Sequence, residues 1–257
     1  LLPGAGARAE TLARHIPYFE PEWQTLAISY PPVPTLTELC SVIASRMDEA
    51  GIATAHVIGG SYGGMVAQAF AELYPARVGK LVLSHTGGPD PERGAKMRSG
   101  ARWINRLPLS WVKWIFGKRL SKLIPNAPEA NEARLQFERI LKSWTRDEID
   151  ALFHRAAEFQ DFGPATWRGE TLLLWADDDP ATPEPVREAL HQRYPQAQVH
   201  EFHGTGHAAA LLKPEEYFGA IRDFLRAPAR AQRGELAQVE SSRVDRHAQR
   251  GVDVHRV

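Results

Sequence analysis

The sequence predicts an α/β fold, a mostly parallel, doubly wound sheet with helices on both faces. Three observations carry that reading. Short apolar runs bounded by turn residues recur along the chain, with helical stretches between them. The runs show little polar alternation, as expected of strands buried on both faces, and Ala55-His56-Val57-Ile58 and Lys80-Leu81-Val82-Leu83 depart at one residue each. A glycine-rich turn, Gly59-Gly60-Ser61-Tyr62-Gly63-Gly64, joins one run directly to a helix that starts Met65-Val66-Ala67-Gln68.

In chain order, the strands are expected as a stub at Leu1-Leu2 and then at 25–29, 55–59, 80–84, 171–175 and 198–202. The chain opens on Leu1-Leu2-Pro3-Gly4, which reads as the end of a strand whose beginning is absent, so N-terminal strands are expected to be missing. Helices are expected at 35–50, 62–74, 185–194 and 214–225; proline begins two of them and Pro75 follows a third. Roughly 85 residues separate the strands at 80–84 and 171–175, too many for a simple connection. This stretch is mostly helical in character and holds Trp103, Trp111, Trp114, Ile115, Phe116, Trp144 and Trp167. It is expected to form a helical lid, with Trp103, Trp111 and Trp114 binding substrate over an apolar cleft; the alternative is that the tryptophans only glue the insertion to the sheet. The resulting organisation is a core of residues 1–88 and 168–226, a lid insertion of 89–167, and a tail of 227–257 whose Arg, Gln, Ser and Glu content predicts disorder.

Of the 257 residues, 31 are Lys or Arg and 31 are Asp or Glu, so no global field draws the molecule to nucleic acid or an anionic membrane. A small, neutral partner is expected. The single cysteine, Cys40, excludes an internal disulfide framework and leaves too few thiolates for a structural zinc site, and a reducing cytoplasm is the default setting. There is no apolar run of membrane-spanning length and no signal-peptide pattern at the start, so no stable membrane insertion is expected. The mixture of Trp, Ile and Leu with Arg and Lys over residues 103–123 could touch lipid, but Pro108 and Gly117 are expected to break any long helix there.

The turn at Ser61 carries the chemistry. It matches Gly-x-Ser-x-Gly in the strand, turn and helix context that this pattern requires. A serine at the tip of so tight a turn holds strained backbone angles, and Gly59, Gly63 and Gly64 let strand and helix approach. The helix directs its amino terminus at the serine, which makes Tyr62 N–H the natural oxyanion donor. The alternative is an inert or anion-binding glycine turn; the Gly-x-Gly-x-x-Gly spacing of a dinucleotide loop is not reproduced.

An acid and a base are required downstream, in that order. After the strand at 171–175 comes Ala176-Asp177-Asp178-Asp179-Pro180-Ala181-Thr182-Pro183, and chemistry alone leaves all three aspartates open. Asp90 is a further alternative. Phe202-His203-Gly204-Thr205-Gly206-His207-Ala208 then offers two histidines, of which His207 follows the glycine turn and His203 ends the strand. His56 and His85 sit on or just after strands and read as packing or supporting residues.

Taken together, these motifs resemble the α/β-hydrolase superfamily in its serine-nucleophile branch, over most of the chain from Leu2 to about Tyr217. Residues 28–32, Ile-Ser-Tyr-Pro-Pro, are similar to the maspardin-type branch. The resemblance implies Asp179 as the orienting acid, with alanine in place of the usual glycine at 176, and His207 as the base. It also implies Ala5, in Pro3-Gly4-Ala5-Gly6, as the second oxyanion donor, with proline at 3 where relatives carry histidine. The implied reaction is cleavage of a carboxylic ester or similar acyl substrate through a Ser-His-Asp triad and an acyl-enzyme, with no cofactor and no metal. The alternatives are a carbon–carbon bond hydrolase or thioesterase of the same fold, or a non-catalytic binding or adaptor protein. Serine at 61 argues against the chemistry of an aspartate nucleophile.

Overall fold

A computed structural model describes residues 1–20, 22–104 and 106–228. The four central apolar runs become β1 (Ala55–Gly60), β2 (Val78–Ser84), β3 (Thr171–Ala176) and β4 (Gln198–Phe202). They form one sheet in the order β1-β2-β3-β4, parallel throughout. The register pairs Gly59 with Leu83, Leu83 with Leu173, and Leu173 with Val199, so all four strands end at one edge.

The period-two alternation of strands explains why these segments tolerate almost no polar residue. Leu81, Leu83 and Leu173 face one apolar cluster; Val82, Leu172 and Leu174 face the other. The first cluster is covered by α1 (Leu36–Glu49) and α2 (Tyr62–Leu73), the second by α9 (Pro214–Arg226). α1 starts with a capping box: Thr35 accepts from Glu38 N (3.1 Å) and Glu38 accepts from Thr35 N (3.4 Å). Lys80, the polar interruption of β2, is buried; its ammonium donates to the Phe224 carbonyl near the end of α9 (2.9 Å) and pairs with Glu170 (3.3 Å). A cation at the carbonyl end of a helix is the favourable placement.

The amino-terminal stub differs from a full strand. Leu2 forms a single parallel bridge to Gly59, while Leu1 N donates to Leu26 O and Ile28 N to Leu1 O (3.3 Å). The segment expected as a strand at 25–29 therefore runs beside Leu1 and Leu2, but two residues make too short a ladder to define a strand. α7 (Glu184–Arg193) connects β3 to β4, and the short α8 (Ala209–Leu212) precedes α9. Residues Leu1–Leu225 form one compact unit; the expected tail lies, from 229 onward, outside the described residues.

Between β2 and β3 run four helices: α3 (Pro91–Ile104), α4 (Leu109–Leu120), α5 (Asn131–Ser143) and α6 (Arg146–Phe159). Pro108 lies between α3 and α4, as expected of a helix breaker, whereas Gly117 does not interrupt α4. Pro108 caps its start, where the missing N–H costs nothing, and Gly117 sits within the helix facing Leu141 of α5, leaving no room for a Cβ. α6 begins with a second capping box, Thr145 with Glu148, and buries Ile149, Leu152, Ala156 and Phe159 in the cluster over α2. No described helix is long and apolar enough to cross a membrane.

Two glycines give opposite expectations. A Cβ at Gly63 would overlap the Leu2 carbonyl, and backbone cannot swing aside as a side chain can, so Gly63→Ala is expected to cost at least about 3 kcal/mol. Gly219, within α9, has open space around it, so Gly219→Ala is expected to stabilise by about 1 kcal/mol. Urea titration of both variants against the parent measures the two shifts.

Candidate active site

β1 ends in Gly59-Gly60, and the next residue, Ser61, has φ 54° and ψ −121°. That left-handed conformation is costly for any residue with a Cβ. It is held by Ser61 N donating to Ser84 O (2.8 Å) and Gly64 N donating to Ser61 O (3.0 Å). Gly59 permits the bend because a Cβ there would overlap the Gly63 carbonyl one helical turn away. α2 thus starts at Tyr62 directly behind the serine, with the first helical N–H groups lacking intrahelical partners. The Tyr62 side chain is buried against Tyr30, with ring centroids 5.8 Å apart.

The three aspartates after β3 divide one task. Asp177 pairs with Nδ1 of exposed His203 (2.8 Å), Asp178 accepts from Gly206 N (2.9 Å), and Asp179 accepts from Nδ1 of His207 (2.7 Å). The Asp179 carboxylate is fully buried; its other bonds come from Ala181 N (2.8 Å) and the Thr182 hydroxyl (2.8 Å). Burial alone pushes its pKa up, yet these donors and the adjacent imidazole outweigh burial and hold it below the usual carboxylate range. The Asp177 hydrogen bond raises the pKa of His203.

His207 is reached through Gly204 (φ 68°) and Gly206 (φ 52°), two left-handed positions that suit glycine. With Nδ1–H committed to Asp179, Nε2 is the nitrogen free to accept a proton. Ser61 and His207 line the same cavity, about 210 Å³ in volume, together with Gly4, Gly60 and His85. Chemically, this places a hydroxyl on a strained bend beside an imidazole whose tautomer is set by a buried carboxylate, the elements of nucleophilic acyl transfer.

Other sequence expectations fare differently. Gly4, not Ala5, lines the cavity; Ala5 is half-buried against the core, on a loop tied down by Tyr30 Oη donating to Pro3 O (3.1 Å) and Ala7 N to Gly4 O (3.1 Å). Trp103, Trp111 and Trp114 do not line it and are 70, 63 and 61 % exposed. The reason is helix phase: in α4, Val112 and Phe116 turn inward at i, i+4, which leaves Trp111 and Trp114 outside. Trp144 instead packs on the loop that follows Gly4. It donates to Gly6 O (3.2 Å) and fills the space where a Cβ of Gly6 would lie. Asp90, the alternative acid, instead caps α3 by accepting from Glu92 N (3.0 Å) and Arg93 N (3.2 Å).

His85, expected as a packing or supporting residue, stands beside His207. It follows β2 with φ 48°, stands 5.5 Å from the His207 ring in a T-shaped contact, and its Nδ1 meets Ser84 Oγ at 2.8 Å. Burial, with His207 alongside, lowers its pKa to about 4 against the opposing pull of Asp179 and the Gly206 backbone. The only sequence signal was its position immediately after a strand that ends beside the serine bend.

A parallel sheet whose edge carries this bend, a buried carboxylate and an imidazole has the architecture of a hydrolase-type α/β protein. The chain belongs to the alpha/beta hydrolase family, whose model matches residues 1–220. It is 30 % identical over 192 residues to a 2-hydroxy-6-oxononadienedioate/2-hydroxy-6-oxononatrienedioate hydrolase of Burkholderia vietnamiensis, covering 72 % of this chain and 67 % of that protein. It is 32 % identical over 198 residues to the hydrolase of the same name from Paraburkholderia phymatum, covering 72 % and 66 %. The chain therefore spans about two thirds of the length of the curated relatives it matches. Among solved structures, a hydrolase from Pseudomonas aeruginosa superposes with a TM-score of 0.73 at 21 % identity, covering 88 % of each chain. The enol-lactonase from Burkholderia xenovorans LB400 gives 0.70 at 16 %, covering 88 % of this chain and 90 % of that one.

The depressed pKa of His85 sets a direction for stability. The unfolded imidazole takes a proton near pH 6.5 and the folded one only near pH 4, so stability falls as pH drops through that window. The loss attributable to this buried group is of the order of 3 kcal/mol. Asp179, also depressed, adds its loss only below the ordinary carboxylate pKa. Urea unfolding at pH 7 and pH 5 is expected to show a smaller pH-dependent loss in His85→Asn than in the parent chain.

Proposed function

We propose that this protein is a Ser-His-Asp hydrolase that cleaves a carbon–carbon bond beside the ketone of a 2-hydroxy-6-oxo-dienoate-type acid. The observation that carries the catalytic part is geometric: the Asp179–His207 hydrogen bond of 2.7 Å and the one cavity that Ser61 and His207 line together. The substrate part is supported by the relatives at 30 and 32 % identity, whose names describe hydrolysis of a molecule with an enol at C2 and a ketone at C6. Such a molecule has no ester to hydrolyse, so attack on its ketone must break a bond to carbon.

In this reading His207 Nε2 takes the Ser61 proton as Oγ adds to the C6 carbonyl carbon. The N–H group of Tyr62 receives the oxyanion, with that of Ala5, the residue after the cavity-lining Gly4, as the second donor, where fixed donors are worth far more than water. Beforehand, the C2 hydroxyl proton moves to C5, leaving a C2 ketone conjugated with the C3=C4 alkene. When the C5–C6 bond breaks, its electron pair passes through that alkene onto the C2 oxygen, which takes the proton held by His207. Water, deprotonated by His207, then attacks the acyl-Ser61 carbonyl and frees the acid and Ser61. Asp179 keeps the imidazole in the tautomer that both half-reactions need. Asp178 and Asp177 act only through the loop, by holding Gly206 and His203.

The test uses a 6-aryl-2-hydroxy-6-oxo-dienoate, whose conjugated absorbance disappears on cleavage, beside p-nitrophenyl acetate. Cleavage of the dienoate with kcat/KM well above that for the ester is the expected result; ester turnover with an untouched dienoate overturns the substrate assignment. Ser61→Ala is expected to abolish both turnover and labelling by a fluorophosphonate probe, and persistent labelling would exclude Ser61 as nucleophile. Asp179→Asn is expected to lower kcat by about 10⁴, as for a triad whose imidazole adopts the wrong tautomer. Asp177→Asn, which removes only an exposed pair, is expected to stay within about twofold of the parent.

A further inference from the structure

The helical insertion presents to solvent what proteins usually hide. Trp103, Trp111 and Trp114 are each more than three-fifths exposed and lie within one short stretch of sequence. None of them lines the cavity that holds Ser61 and His207. Grouped, exposed aromatic surface of this kind marks an interaction site, whereas single exposed apolar residues need no explanation. Helix geometry builds the group: on α4, Trp111, Trp114 and Lys118 recur at spacings of three and four along the outer face, opposite Val112 and Phe116.

The second observation is charge. From residue 93 to residue 128 the chain has nine Lys or Arg and no Asp or Glu, in a protein whose total formal charge is zero. Among the described residues only Arg93 and Arg98 of that set meet carboxylates, Asp90 at 3.6 Å and Asp161 at 2.8 Å. Lys118 Nζ lies 4.3 Å from the Trp114 ring centroid and the Arg106 guanidinium 5.5 Å from that of Trp103. Cations are thus carried beside the indoles.

We propose that the outer face of α4 docks on an anionic lipid surface. Indoles favour the headgroup boundary, where the ring body leaves water and the N–H stays solvated, and neighbouring Lys and Arg side chains reach lipid phosphates. A polybasic zone of this size draws a protein to an anionic leaflet even when the remainder of the molecule cancels its charge. α4 is far too short to span a bilayer, so the attachment is peripheral. Single-stranded nucleic acid also offers phosphates and stacking partners, but it is usually held in a groove that tracks the strand. Here the indoles stand on the outer face of a helix.

The test is binding of the full chain to vesicles, read by co-sedimentation and by the blue shift of tryptophan emission. Vesicles of phosphatidylcholine containing one quarter phosphatidylglycerol are expected to bind at least about tenfold more protein than pure phosphatidylcholine, with the difference shrinking at high salt. W103A/W111A/W114A and, separately, K118E/R119E are expected to lose about tenfold in binding while circular dichroism and melting stay those of the parent. The proposal is overturned if anionic vesicles bind no more than neutral ones or if both variants bind like the parent. It is equally overturned if an oligouridylate displaces the protein from vesicles and binds it more tightly, or if the tryptophans instead mediate a dimer that ignores vesicles. Because the readout is partition and not turnover, its outcome is independent of the proposed hydrolytic reaction.

Discussion

At Ser61 the chain leaves β1 and enters α2 through a backbone conformation that costs of the order of 1–3 kcal/mol, and the surrounding structure is arranged to hold it there. Helix and strand must nearly touch for the bend to exist, which is why Gly59 and Gly63 face carbonyls that leave no room for a side chain. The strain is balanced by burial: Val66, Ala67, Ala69, Phe70 and Ala71 of α2 are all inaccessible to solvent, so α2 cannot withdraw to relax the turn. The same close approach brings the Leu2 carbonyl against α2 and fixes where the loop through Gly4 and Ala5 leaves the sheet. One constraint thus positions both the hydroxyl and the loop opposite it.

His207 is positioned by a different device. Three consecutive carboxylates follow β3, and each grips a different point of the loop after β4: a side chain at 203, a backbone N–H at 206 and a side chain at 207. Successive residues leaving a strand point in different directions, so a run of one residue type can serve several partners. Burial separates their roles. Asp177 and His203 are exposed, where a pair contributes little, while Asp179 is inaccessible and surrounded by donors that favour its charged form. His85, neutral because it is buried beside His207, keeps a second positive charge out of the cavity.

Much of this arrangement could be read from residues alone, for identifiable reasons. The four central strands were visible because a strand buried on both faces must be apolar throughout, and the serine bend because only small residues allow it. Residue chemistry alone left the three aspartates open, and only the family resemblance pointed to Asp179, since the choice depends on which carboxylate turns inward as β3 ends. The tryptophans were misplaced because aromatic and aliphatic residues occupy every face of α4, so its pattern does not reveal an inner side. Only contact with α5 and α6 decides that Phe116 packs on Trp144 and Phe153, at 5.4 and 5.2 Å between ring centroids, while Trp111 and Trp114 remain outside. His85 could be read only as a packing or supporting residue because its contacts with Phe202 and His207 join residues more than a hundred positions apart in the chain.

The insertion therefore has two unlike faces. Inward, Phe116 of α4 meets Trp144, and Trp144 occupies the space above Gly6, a residue with φ 69° whose missing side chain makes the contact possible. That chain of packed rings ends on the loop carrying Ala5, so the position of the proposed oxyanion donor depends on how α4 and α5 sit. Outward, the same α4 carries indoles and cations facing solvent. Packed interiors transmit displacement because they contain few voids to absorb it. A surface that captured the outer face would therefore act on the inner one through the ring contacts of Phe116 with Trp144 and Phe153, with Gly6 as one point where the insertion meets the loop after Gly4.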